Sequence, residues 1–151
     1  MTRRKQITIR LEKTKSDVPI IKFLIDDKWF WGLVDTGSET TIFSQDIWNY
    51  LGAGDDATET INLVGFSGEK KQRLLRLSSK LSFIDWKDDT HSFMISGIVS
   101  DITGISDHFM KMSEFDHPLS AILGSNFLQM IDAKIDYQNR LISCYDIPCK
   151  Q

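Results

Sequence analysis

From Gln6 to Tyr145 the apolar residues come in short runs, alternating or unbroken, with turn formers between them. Such spacing predicts strands and leaves little room for long helices. Ile7, Ile9 and Leu11 alternate and predict a strand over Gln6–Leu11. Val18–Ile25 and Trp29–Val34 predict two more, joined by the polar turn Asp26-Asp27-Lys28. Thr40–Phe43 reads as a short strand, and Ser44 as the cap of a helical turn through Leu51 with Asp46 in its first turn. Thr58–Val64 and Lys70–Leu77 form a hairpin whose apex is Gly65-Phe66-Ser67-Gly68. Leu81–Ile84 and Ser92–Val99 form another around Asp85–Asp89. Ser100–His117 is polar and reads as a loop with a short helix, in which Phe109, Met110 and Met112 serve packing. Leu119–Gly124 is an apolar strand, Ser125 opens a short helix through Met130, and Ala133–Tyr137 with Arg140–Tyr145 closes the chain as a hairpin. Many short strands with one or two short helices predict an all-β domain, closed or sandwiched.

A chain of 151 residues, 41% hydrophobic and 26% charged, fits one domain over 1–151 with a core of its own. The net charge of -3 gives no argument for a nucleic-acid partner. Arg3-Arg4-Lys5 and Lys70-Lys71 with Arg73 and Arg76 read as solvated surface charge. No apolar stretch has the length of a membrane span, and no apolar region follows the basic N-terminus, so the expectation is a cytoplasmic protein with no membrane partner. Cys144 and Cys149 fit no metal pattern and are expected as free thiols. His91, His108 and His117 lack ligand spacing, and the carboxylates near them read as surface groups, so neither metal nor cofactor is expected. Trp29, Trp31 and Trp86 are expected to serve packing.

One tetrapeptide stands apart. Asp35-Thr36-Gly37-Ser38 follows the apolar run Trp29-Phe30-Trp31-Gly32-Leu33-Val34 directly, which puts a carboxylate at the end of a buried strand and a tight turn after it. The motif occurs once, so the chain carries half of a two-carboxylate machine. A second segment complements it. In Ile122-Leu123-Gly124-Ser125-Asn126-Phe127-Leu128, two apolar residues precede a glycine and then a helix start. A glycine at that point lets a second strand pass close to the Asp35 loop, where a side chain would block it.

These segments, with the Gly65–Gly68 hairpin between them, resemble the retropepsins, the retroviral-type aspartic proteases with cellular and bacterial relatives. The resemblance covers most of Val18–Ile142 and implies a closed acid-protease-type β-barrel with a flap hairpin. It implies that Asp35 is catalytic and that Thr36, Gly37 and Ser38 shape its loop. It makes Gly65, Phe66, Ser67 and Gly68 the flap over a peptide or protein substrate, and Ile122, Leu123 and Gly124 the support of the active-site loop. One Asp35 per chain then implies a C2 homodimer with the site on its axis. Two adjacent carboxylates cannot both ionise easily, so one serves as base to a water and the other as acid to the scissile carbonyl.

Ser38 and Ser125 depart from the Ala and Arg common in viral members, and the Trp86–His117 stretch is longer than a compact viral enzyme needs. The bacterial or cellular branch is the closer likeness. Thr36 is expected to bond across to the facing loop of the second subunit. Ser38 is expected to donate to the Asp35 carboxylate, which would favour its charged form and an acidic optimum. The leading expectation is an aspartic endopeptidase. The alternative is a non-catalytic or latent dimeric peptide-binding domain of the same fold.

Overall fold

The computed structural model describes residues 4–52, 57–65 and 68–146, with segment 57–74 as backbone only. Ten strands run β1 (Gln6–Arg10), β2 (Ile20–Ile25), β3 (Lys28–Val34), β4 (Thr41–Phe43), β5 (Ala57–Gly65), β6 (Gly68–Ile84), β7 (Thr90–Val99), β8 (Leu119–Leu123), β9 (Lys134–Asp136) and β10 (Leu141–Tyr145). Among the described residues three helices interrupt them, α1 (Gln45–Leu51), α2 (Thr103–Ser113) and α3 (Ser125–Met130), each in a segment where the sequence predicts helical structure.

The larger sheet has the order β2-β3-β8-β4-β7-β6-β5. A further pairing of β2 with β6, at Leu24 and Ser82, closes six of these strands into a barrel and leaves β5 as a hairpin arm on β6. The chain is therefore all-β, as its alternation predicts. Strands β1, β10 and β9 form a separate three-stranded sheet from the two ends of the described chain. Closure pairs β2, which would otherwise be an edge strand of the larger sheet, and leaves β5 as the edge of the arm.

The alternation continues further than the sequence suggests. Ser78, Ser79 and Lys80 do not end a strand but lie within the 17-residue β6. Ser78 and Lys80 face solvent while Leu77, Ser79, Leu81 and Phe83 face inward, so the small buried serine keeps the period. On the outer face, hydroxyl pairs Ser78–Ser96 and Ser82–Ser92 bridge β6 to β7 at 2.6 and 2.7 Å.

Inside the barrel the aromatic rings interlock. Phe83 lies 6.0 Å from Phe23 and 5.7 Å from Phe127, and Phe127 meets Phe93 edge-on. Each such buried ring contributes roughly 1.5–3 kcal/mol. A satellite cluster of Ile20, Leu33 and Leu119, with Val18, Trp31, Phe109 and Phe115 against it, attaches α2. Ser106 pins that helix, because its buried Oγ accepts the Leu119 N–H at 2.8 Å. Met112 is 46% exposed and adds little to this packing. The imidazole of His117 stacks on Trp31 at 3.8 Å, and the Trp31 Nε1–H donates to Glu12.

Candidate active site

Asp35 stands directly after β3, and β8 is threaded between β3 and β4, the strands on either side of the Asp35 loop. Strand β8 runs parallel to β3 and antiparallel to β4. The loop is thus tied from below. The Asp35 N–H donates to Leu123 O at 3.0 Å, the Ser125 N–H to Ser38 O at 2.6 Å, and the Asn126 N–H to Glu39 O. Ile122 and Leu123 are buried in this contact, and Ile122 pairs with both Leu33 and Ile42.

Gly124 is the closest approach. A Cβ there would meet Ser38 O at 2.7 Å and Thr40 O at 2.6 Å, backbone atoms that cannot swing aside. A side chain at 124 would therefore push the two loops apart.

Above this support, Asp35 is half-buried and Thr36 and Gly37 are exposed. The Gly37 N–H donates to Asp35 Oδ1 at 2.9 Å. Oδ2 carries no hydrogen bond among the described residues. The Ser38 N–H closes the turn on Asp35 O. The Ser38 hydroxyl, expected on the carboxylate, instead donates to Thr40 O at 2.7 Å. It braces the loop, because the carbonyl two residues on is nearer to hand than the carboxylate that the Gly37 amide already holds. Thr36 borders an open groove of about 590 Å³ shared with Ser125, Leu128, Gln129 and Tyr145.

Two residues that sequence reasoning left out hold the loop together. Thr41, fully buried, accepts the Gly124 N–H at 3.1 Å and donates to Asn126 Oδ1 at 2.9 Å. The Asn126 Nδ2 then donates to Ser96 O on β7. Gly97 beside it has no room for a side chain, since a Cβ would meet Thr41 O at 2.3 Å. The hint in the sequence is Thr41 in the apolar end of Thr40-Thr41-Ile42-Phe43, a polar group that burial obliges to find partners.

The expected flap lies on the β5–β6 hairpin. Gly65 pairs with Gly68 at its end, and Phe66 and Ser67 lie outside the described residues. A separate cavity of about 560 Å³, walled by Trp29, Trp31, Tyr50 and Pro118, sits toward the Lys28 end of β3, away from Asp35.

One expectation about charge is overturned. Asp85 and His91 are not surface groups: both are 6% exposed, and His91 Nε2 meets Asp85 Oδ2 at 2.7 Å. Burial pushes the Asp85 carboxyl up, but bonds from His91 and from the Asp89 and Lys87 amides outweigh it and hold the group below its ordinary range. Ser44 precedes α1 as expected but makes no side-chain cap, and its buried Oγ has no hydrogen-bond partner among the described residues. Trp86 is 55% exposed and does not pack as expected. Cys144 is a buried free thiol. Among the described residues no group of three or more His, Cys, Asp or Glu side chains converges as a metal site, and no helix is long and apolar enough to cross a membrane.

No protein-family model and no curated protein matches the sequence significantly. Solved structures do match the fold. A retropepsin-like aspartic protease from Rickettsia conorii aligns at a TM-score of 0.54 with 16% identity, over 97% of this chain and 94% of that one. The retroviral protease-like domain of Ddi1 from Leishmania major aligns at 0.54 with 15% identity, over 89% of this chain and 97% of that one. This chain therefore has the retropepsin-like fold.

Proposed function

We propose that the protein is an aspartic endopeptidase whose active site is completed by a second copy of the chain. The observation that carries this reading is Asp35 itself. A half-buried carboxylate stands at a strand end, with one oxygen held by the Gly37 amide, on a loop fixed by Gly124 and Thr41. Rigid positioning of a reactive group on a scaffold is what chemistry at a strand end requires.

In the proposed dimer two Asp35 carboxyls face one another across the twofold axis and share a proton. The ionised one takes a proton from a water held between them, and the resulting hydroxide adds to the scissile carbonyl. The protonated one gives its proton to the carbonyl oxygen. In the collapse of the tetrahedral intermediate the carboxyl that took the water's proton gives it to the amine nitrogen as the C–N bond breaks, a diol hydroxyl returns its proton to the other carboxylate, and the pair regains its single proton with no acyl-enzyme formed.

Thr36 and Gly37, exposed beside Asp35, suit contact with the facing loop, and Thr36 is the proposed cross-dimer hydrogen-bonding residue. The β5–β6 hairpin, with Gly65, Phe66, Ser67 and Gly68 at its apex, is the proposed flap. The substrate class is an extended peptide, which a β-rich cleft can grip through its backbone.

The test joins sedimentation with cleavage of a quenched fluorogenic peptide library at acidic and neutral pH. A dimer that cuts peptides, and an Asp35→Asn protein that remains dimeric and cuts none, is expected. Undiminished cleavage by Asp35→Asn would overturn the assignment.

A further inference from the structure

The turn between β6 and β7 is built with unusual care around a residue that it then exposes. The buried Asp85 carboxylate accepts the Lys87 and Asp89 N–H groups, both at 2.9 Å, on one oxygen and binds His91 with the other. The Trp86 N–H donates to Thr8 O at 2.9 Å, which ties the turn to β1. Trp86 itself projects from this fixed turn, 55% exposed. A tryptophan left in water forfeits its burial energy, and rigid aromatic anchors of this kind are common energetic centres of protein interfaces.

Beside Trp86 lies a cleft of about 270 Å³. Ile9, Ile84 and Trp29 give it apolar walls, and Arg10 and Lys22 supply its positive charge. The Lys22 ammonium lies over the Trp29 ring at 4.6 Å. Neither cation has a carboxylate within ion-pairing distance among the described residues; of the two acids that line the cleft, Asp85 is buried with its oxygens on His91 and two amides and Asp88 is exposed on the rim, and the Lys87 ammonium adds a third cation 6.0 Å from the Trp86 ring. The chain as a whole is negative, at -3, so these cations are not the overflow of a basic protein. The cleft falls just below the range of about 300–1,000 Å³ usual for small-molecule sites, and it suits one large side chain of a longer polymer. Trp29 is six residues before Asp35, about 20 Å along an extended strand, so an occupant here would leave the Asp35 loop clear.

We propose that the Trp86–Trp29 cleft is a docking site for an acidic peptide segment of a partner protein, with an aromatic or large aliphatic side chain seated between the indoles and flanking carboxylates on Arg10 and Lys22. The charge pattern selects acidic flanks, and the apolar walls select the central side chain. The site is independent of the reaction assigned to Asp35.

Calorimetric titration of the full chain with acetyl-Asp-Glu-Phe-Glu-Asp-amide at low salt tests it. Saturable binding of one peptide per chain is expected. Trp86→Ala and the Arg10→Ser/Lys22→Ser double variant should each weaken it about tenfold or more, as loss of an interface anchor does. Raising the salt should weaken it too. Met94→Ala, at an exposed apolar residue of β7 outside the cleft, should leave it unchanged. Absence of binding, equal binding of the peptide with lysines in place of its acids, or full binding by Trp86→Ala would overturn the proposal. So would tighter, Trp86-dependent binding of a single-stranded oligonucleotide or of phosphatidylserine vesicles.

Discussion

The buried Thr41 hydroxyl donates to Asn126 Oδ1 at 2.9 Å, and this bond couples the strand after the Asp35 loop to the helix that follows its supporting strand. The same hydroxyl accepts from Gly124, so one side chain satisfies both neighbours. Thr41→Val keeps the shape and removes the hydroxyl. It should cost about 1–3 kcal/mol, the usual penalty for stranding a buried polar partner. Urea unfolding measures this, and peptidase activity should fall with it, whereas Thr41→Ser should retain most of both. An unchanged midpoint in Thr41→Val would contradict the role.

Gly124→Ala puts a methyl group into backbone oxygens less than 3 Å away. Overpacking of this kind costs about 1–3 kcal/mol, and here it falls on the loop that carries Asp35. The variant should lose more activity than its thermal midpoint alone explains. Gly104→Ala, at a glycine with open space around it, is the control and should be near neutral.

The strands were legible because alternation survives in the sequence, as in Ile7, Ile9 and Leu11. The place of Asp35 at the end of a buried strand was legible because a carboxylate, a glycine and an apolar run coincide there. The support at Gly124 was legible for the same reason, since a glycine between an apolar strand and a helix start has few other uses. The pairing of Leu24 with Ser82 that closes the barrel was not, because pairing between distant strands leaves no local mark. The continuity of β6 was hidden by Ser78-Ser79-Lys80, a polar triplet that looks like a turn until its middle residue proves buried. Asp85 was misjudged because Asp85–Asp89 holds three aspartates and reads as solvated. Only the fold brings His91 to it.

That pair carries a pH prediction. The Asp85 carboxyl is held below the ordinary 3.8 in the folded protein. A lowered folded value means that the stabilisation is complete above about 3.8 and is lost as the pH falls further, through the folded value. Urea midpoints from pH 7 down to pH 2 should show an acid loss that Asp85→Asn reduces. A variant with the same acid slope as the parent would contradict the assignment.

Burial, with a smaller push from Asp146, raises the Cys144 thiol to about 12. Little thiolate exists at pH 8, and the sulfur is shielded as well. In a Cys149→Ser background, Cys144 should resist a thiol-specific disulfide reagent until the protein unfolds, so that labelling tracks urea denaturation. Prompt labelling of the native protein would contradict it.

The central claim is that two chains share one reaction, and mixing tests it most directly. Wild type and Asp35→Asn protein are mixed in equal amounts, unfolded, refolded together and assayed for peptide cleavage. Random pairing leaves about one quarter of the dimers with two Asp35 residues. Activity should fall to about a quarter of that of the same total amount of wild type, and follow the square of the wild-type fraction. Activity that falls only in proportion to the wild-type fraction would mean that each chain works alone, and would contradict the shared site.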